Sequence, residues 1–169
     1  MTESQDRLKR IVLIALLTSA ASGIWFLENL INPSSFRIGI ANIFTLTALY
    51  TIGGTPAFLV SIIRILIGST LAGKLFSPIF LISFSGGILS VLGMVVAKKL
   101  NRFSMLGVSI AGAFLNNIAQ LLTTYLLMGK PSGMLYLFGY LSIVSIPAGA
   151  FVGWVSYLAT KRVLPLFRR

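Results

Sequence analysis

The stretch VSIIRILIG, residues 60–68, carries Arg64 in the middle of an otherwise apolar run. An arginine at the centre of a membrane helix costs about 2.5–3.5 kcal/mol on insertion scales. Its guanidinium stays charged and presents a rigid fork of donors that matches carboxylate or phosphate oxygens. Such a group in an apolar segment points to anion recognition. The structural alternative is a pairing with a backbone carbonyl or with Glu28, the one acidic residue outside the N-terminal tail.

Amide side chains accompany the arginine. In GAFLNNIAQLLTTY, residues 112–125, Gly112, Asn116, Gln120 and Thr124 are four apart and share one helix face, with Asn117 beside it. Amides in lipid must point inward, yet an interhelical hydrogen bond returns only about 0.6 kcal/mol on average. A binding role is therefore at least as well motivated as a structural one. Asn42 and Thr45 lie one turn apart in RIGIANIFT, and Ser61, Arg64 and Gly68 share a face of the next segment. Asn42, Arg64, Asn116, Asn117 and Gln120 form the candidate substrate-binding set. Fixed positive charge among neutral amides suits a carboxylate, phosphate or diphosphate.

Other chemistry is narrowed by what the chain does not contain. It has no Cys and no His, and its only acidic residues are Glu3, Asp6 and Glu28. Disulfides, thiolate nucleophiles and His-ligated metals are excluded. Neither a metal site nor a cofactor is expected, and no acid–base pair suggests an enzyme. GSTLAGKL, residues 68–75, spells most of a phosphate-binding loop, but Leu75 stands where the metal-binding hydroxyl belongs and no strand precedes it.

The elements that must position these residues follow from composition. Of 169 residues, 56% are apolar and 10% charged, against about a quarter charged in a soluble domain. Lipid is the expected solvent for most of the chain. Spans of about 20 apolar residues leave no room for a soluble catalytic or ATPase domain. Six are predicted, at 10–27, 38–54, 56–73, 77–97, 104–128 and 134–159, as one membrane domain over 1–169. Breakers separate them: NPSS at 32–35, GGTP at 53–56, KKLNR at 98–102 and GKPSG at 129–133. Backbone groups cannot stay unpaired in lipid, so the spans are helices. The predicted fold is an all-α, six-transmembrane-helix bundle. The second and third spans are short and nearly abut, which predicts a tight hairpin or partly broken helices lining a cavity. RLKR, IVLIALL and TSAASG mimic a signal peptide, but IWFL continues the apolar run, so an uncleaved first helix is expected.

Orientation follows from the basic residues. With both termini cytoplasmic, Arg7, Lys9, Arg10, Lys98, Lys99, Arg102, Lys161, Arg162, Arg168 and Arg169 are inside; Arg37, Lys74 and Lys130 are outside. This asymmetry accounts for the net charge of +11 without nucleic acid. The basic LFRR end reads as a topology determinant ahead of a lipid or partner contact. In this topology Asn42, Arg64, Asn116, Asn117 and Gln120 fall at overlapping depths, which predicts one cavity centred or opening on the outer side, with Arg37 at its mouth. Small residues form stripes on three helices: Ala15, Ser19 and Gly23; Ser83, Gly86, Gly87, Ser90 and Gly93; Gly149 and Gly153. The last two stripes are expected to pack within the bundle. The first is the candidate partner face, because a terminal helix can present it outward.

The runs RIGIANIFTLTALY, RILIGSTLAG, SFSGGILSVLGM and GVSIAGAFLNNIAQL resemble the Gx transporter family, also called heptaprenyl diphosphate synthase component I. That family in turn resembles the substrate-binding (S) components of energy-coupling factor transporters. The resemblance covers about residues 36–127. It departs at Asn116, where a histidine is expected. It implies a six-helix, multi-pass protein of the bacterial cell membrane that captures a small molecule from outside. It also implies a transmembrane coupling protein and two cytoplasmic ATPases as partners, docked at Ala15, Ser19 and Gly23. Family members are linked with quinone, isoprenoid and extracellular flavin redox systems. The alternative reading is thus a non-transporting membrane subunit of such an assembly. Prenyl chain elongation itself needs aspartate-held Mg²⁺, and Asp6 is the only aspartate.

Overall fold

The computed structural model describes residues 3–31, 39–129 and 133–166. They form six α-helices and no strand. These are α1 (Glu3–Ile31), α2 (Asn42–Thr51), α3 (Gly54–Leu71), α4 (Pro78–Lys99), α5 (Met105–Met128) and α6 (Met134–Val163), with a 3-10 turn at Leu164–Leu166. Helix starts follow ordinary capping chemistry where loops are polar. Ser77 accepts from the Phe80 amide at the head of α4, with Pro78 in the first turn. Ser104 accepts from the Gly107 amide at the head of α5.

Burial differs from that of a soluble protein. Leu71, Leu126 and Ile143 are more than 60% exposed, while Thr45, Ser61, Ser69, Ser90 and Ser156 are at most 1% exposed. Apolar side chains outside and hydroxyls inside are what a lipid solvent selects. Five helices, α1 and α3 to α6, are long and apolar enough to cross a membrane. The chain is a multi-pass membrane protein.

The predicted second span, 38–54, is not a full crossing. α2 has ten residues, about 15 Å at 1.5 Å per residue, half the roughly 30 Å hydrocarbon core. Gly53 ends it sharply with φ +109°, a backbone state that a side chain would strain. The last turn of α2 is held by Lys98, whose Nζ donates to the Leu49 carbonyl at 2.7 Å and lies 4.6 Å from the centre of the Tyr50 ring. α2 thus starts inside the protein and ends beside the basic end of α4. Of the predicted breakers, NPSS lies outside the described residues, as does most of GKPSG.

α4 and α5 pack along their lengths, α5 and α6 likewise, and α1 lies on α3. The α5–α6 crossing is close because Gly149 and Gly153 have no side chain. A Cβ at Gly149 would fall 2.7 Å from the Ile110 backbone, and one at Gly153 2.9 Å from that of Leu106. The sixth-helix stripe is therefore packing. In the fourth-helix stripe, Ser83, Gly86, Gly87 and Ser90 are buried. Ala15, Ser19 and Gly23 are exposed on α1, and nothing lies within 4 Å of where a Gly23 Cβ would be.

Candidate functional site

Arg64 is 4% exposed and reaches from α3 to the buried start of α2, where its Nη2 donates to Asn42 Oδ1 at 2.5 Å. This contact depends on the turn before α2. Gly39 has φ +78°, and a Cβ there would press on Asn42 Nδ2 at 3.1 Å. Asn42 is the first residue of α2, so the partial positive charge of a helix N-terminus joins the guanidinium.

The two side chains line a small cavity with Trp25 and Glu28 of α1, Ile65 of α3, Ser83 and Gly87 of α4, and Asn116 and Gln120 of α5. Gly86 makes room for the α5 amides: a Cβ would sit 2.7 Å from Asn116 Oδ1 and 2.9 Å from Gln120 Cγ. Gln120 is 4% exposed, and its Oε1 accepts no hydrogen bond from a described residue. Glu28 Oε1 accepts from the Ile40 amide at 2.8 Å, tying the end of α1 to the segment before α2. The cavity measures about 30 Å³, room for one or two waters.

Four of the five predicted site residues, Asn42, Arg64, Asn116 and Gln120, meet at this cavity. Asn117 does not line it. Its Nδ2 donates to the Leu141 carbonyl of α6 at 2.9 Å, because one residue along a helix turns the side chain by about 100°. Thr124, on the same predicted face, bonds within its own helix to the Gln120 carbonyl. Arg37 lies outside the described residues. Glu28, weighed from sequence only as a structural partner for Arg64, is part of the lining. So is Trp25, three residues before it on one face of α1.

A wider groove of about 530 Å³ runs between α5 and α6, lined by Phe103, Ile110, Phe114, Ile143, Ile146 and small residues. None of its lining side chains is charged. The charged and amide chemistry is concentrated in the smaller cavity. Among the described residues no three carboxylate, His or Cys side chains cluster to hold a metal.

The family model described as heptaprenyl diphosphate synthase component I matches residues 17–158, which include every side chain around the cavity. Neither a curated protein nor a solved structure matches the chain.

Proposed function

We propose a function from the premise that this chain belongs to the heptaprenyl diphosphate synthase component I family: it is the substrate-binding membrane subunit of an uptake system for a small anionic or amphipathic compound. The observation that carries this reading is the Arg64 guanidinium, buried beside the N-terminus of a half-length helix and lined by amides. Interrupted helices whose N-termini face a central cavity are how many membrane transporters hold anionic groups. Arg64 pairs the anion, while Asn42, Asn116 and Gln120 orient it. No covalent step is involved, and the protein acts as a binder and not as an enzyme.

A chain without a nucleotide site cannot drive accumulation alone. The exposed Ala15, Ser19 and Gly23 face of α1 is the proposed dock for a transmembrane coupling protein, which recruits cytoplasmic ATPases. Both termini are placed in the cytoplasm of a bacterial cell, on the strength of the basic-residue asymmetry.

The test is binding by purified protein. Arg64→Met removes a charge-assisted hydrogen-bond donor worth about 1.5–3 kcal/mol, so affinity for the retained small molecule falls roughly 10- to 100-fold. Equal affinity in the variant removes Arg64 from the site.

The family description favours a second reading, a non-transporting subunit that serves a prenyl-lipid, quinone or flavin redox assembly. It predicts stable association with a synthase or redox protein and no accumulation of substrate in vesicles.

A further inference from the structure

The cavity holds both signs of charge. Arg64 contributes a guanidinium from α3, and Glu28 a carboxylate from α1. The Ile40 amide occupies one acceptor position on Glu28 Oε1, but a carboxylate offers about four. Gln120 adds a carbonyl oxygen that is buried and takes no hydrogen bond from a described residue. A buried acceptor without a donor is costly.

These groups disagree about a simple anion. A ligand carrying only negative charge meets Arg64 well, but it places like charge beside Glu28 and supplies nothing to Gln120 Oε1. A ligand carrying only positive charge meets Glu28 and is repelled by Arg64. One that presents an anionic oxygen on one side and an N–H donor on the other satisfies all three. Resting on the reading of this cavity as the substrate site, we infer that its ligand is bipolar. The anionic group lies at Arg64 and the start of α2, and an ammonium or N–H donor in the same small molecule lies at Glu28 and Gln120. At about 30 Å³ the cavity is smaller than such a ligand, so binding requires its lining side chains to move apart.

The experiment uses the full chain in detergent. A metabolite extract is separated by ion exchange into anionic, bipolar and cationic pools, and each is tested for a rise in Tm, since a ligand of the native state raises it. The bipolar pool is expected to raise the wild-type Tm by several degrees. Gly86→Leu fills the cavity and abolishes the rise; Ser83→Leu is a second filling variant in case the first does not fold. Glu28→Gln still offers Ile40 a carbonyl acceptor, so the fold is kept, while the rise with the bipolar pool drops to less than half. Stabilisation by the anionic or cationic pool alone, or an undiminished rise in Glu28→Gln, overturns the bipolar ligand and leaves the cavity as a binding site. If no pool stabilises wild type more than the filled variants, the cavity reading itself falls.

Discussion

Arg64 Nη2 and Asn42 Oδ1 are 2.5 Å apart, joining the middle of α3 to the first residue of α2 inside the protein. The acceptor is neutral, so the bond orients the guanidinium without cancelling its charge. The charge balance at this contact can be changed by one atom. Asn42→Asp keeps the shape and supplies a full countercharge. The variant is expected to fold with an unchanged or higher Tm and to lose anion affinity roughly tenfold or more, the scale of one charge-assisted contact. Thermal unfolding and ligand titration on the same preparation check both halves. Retained affinity in a stable Asp variant shows that the charge of Arg64 is not used.

Asn116 and Asn117 are neighbours in sequence with different surroundings. Asn116 lines the cavity, whereas Asn117 bonds to the Leu141 carbonyl of α6. Asn117→Leu therefore loses about 0.6 kcal/mol of interhelical bonding and lowers Tm slightly, with ligand affinity unchanged. Asn116→Leu has the opposite signature: binding falls severalfold at nearly constant Tm. Parallel titrations and melts of the two variants decide it, and equal losses of affinity would place Asn117 in the site after all.

These two residues also mark how far sequence reading reaches. The membrane class and the inward-facing polar positions were legible, because lipid penalises every unpaired polar group and leaves few places for it. Asn42, Arg64, Asn116 and Gln120 could be grouped by depth alone. Helix phase sets Asn117 beside the face shared by Asn116 and Gln120, but grouping by depth keeps it in the set, since depth carries no information about rotation around the helix axis. The predicted span 38–54 is longer than α2 because hydropathy sees apolar residues but not the Gly39 turn that delays the start of the helix, whereas GGTP marks its end. Glu28 was weighed only as a possible partner for Arg64. Its place in the cavity lining depends on where the end of α1 meets the segment before α2, and that contact between distant residues has no local signature.

Topology is open to direct measurement because the chain has no cysteine. With both termini cytoplasmic, Ser4→Cys and Lys161→Cys react with a membrane-impermeant thiol reagent only after the membrane is opened. Phe76→Cys, in the exposed turn between α3 and α4, reacts in intact cells. The basic residues predict this pattern. Labelling of Lys161→Cys in intact cells would invert the assignment and place the start of α2 on the other half of the bilayer.

The α1 face can be tested apart from the cavity. Ala15, Ser19 and Gly23 are exposed, and a Cβ at Gly23 meets nothing within 4 Å among the described residues. Ala15→Leu with Ser19→Leu should leave the unfolding free energy within about 0.5 kcal/mol of wild type, as surface changes usually do. Ligand binding should also be unchanged. What the pair removes is close helix approach, which small residues permit and leucine prevents. Co-purification with a transmembrane coupling protein and its ATPases is therefore expected to be lost while the subunit stays folded and competent to bind. An intact complex carrying both leucines would mean that the coupling partner rests on another face.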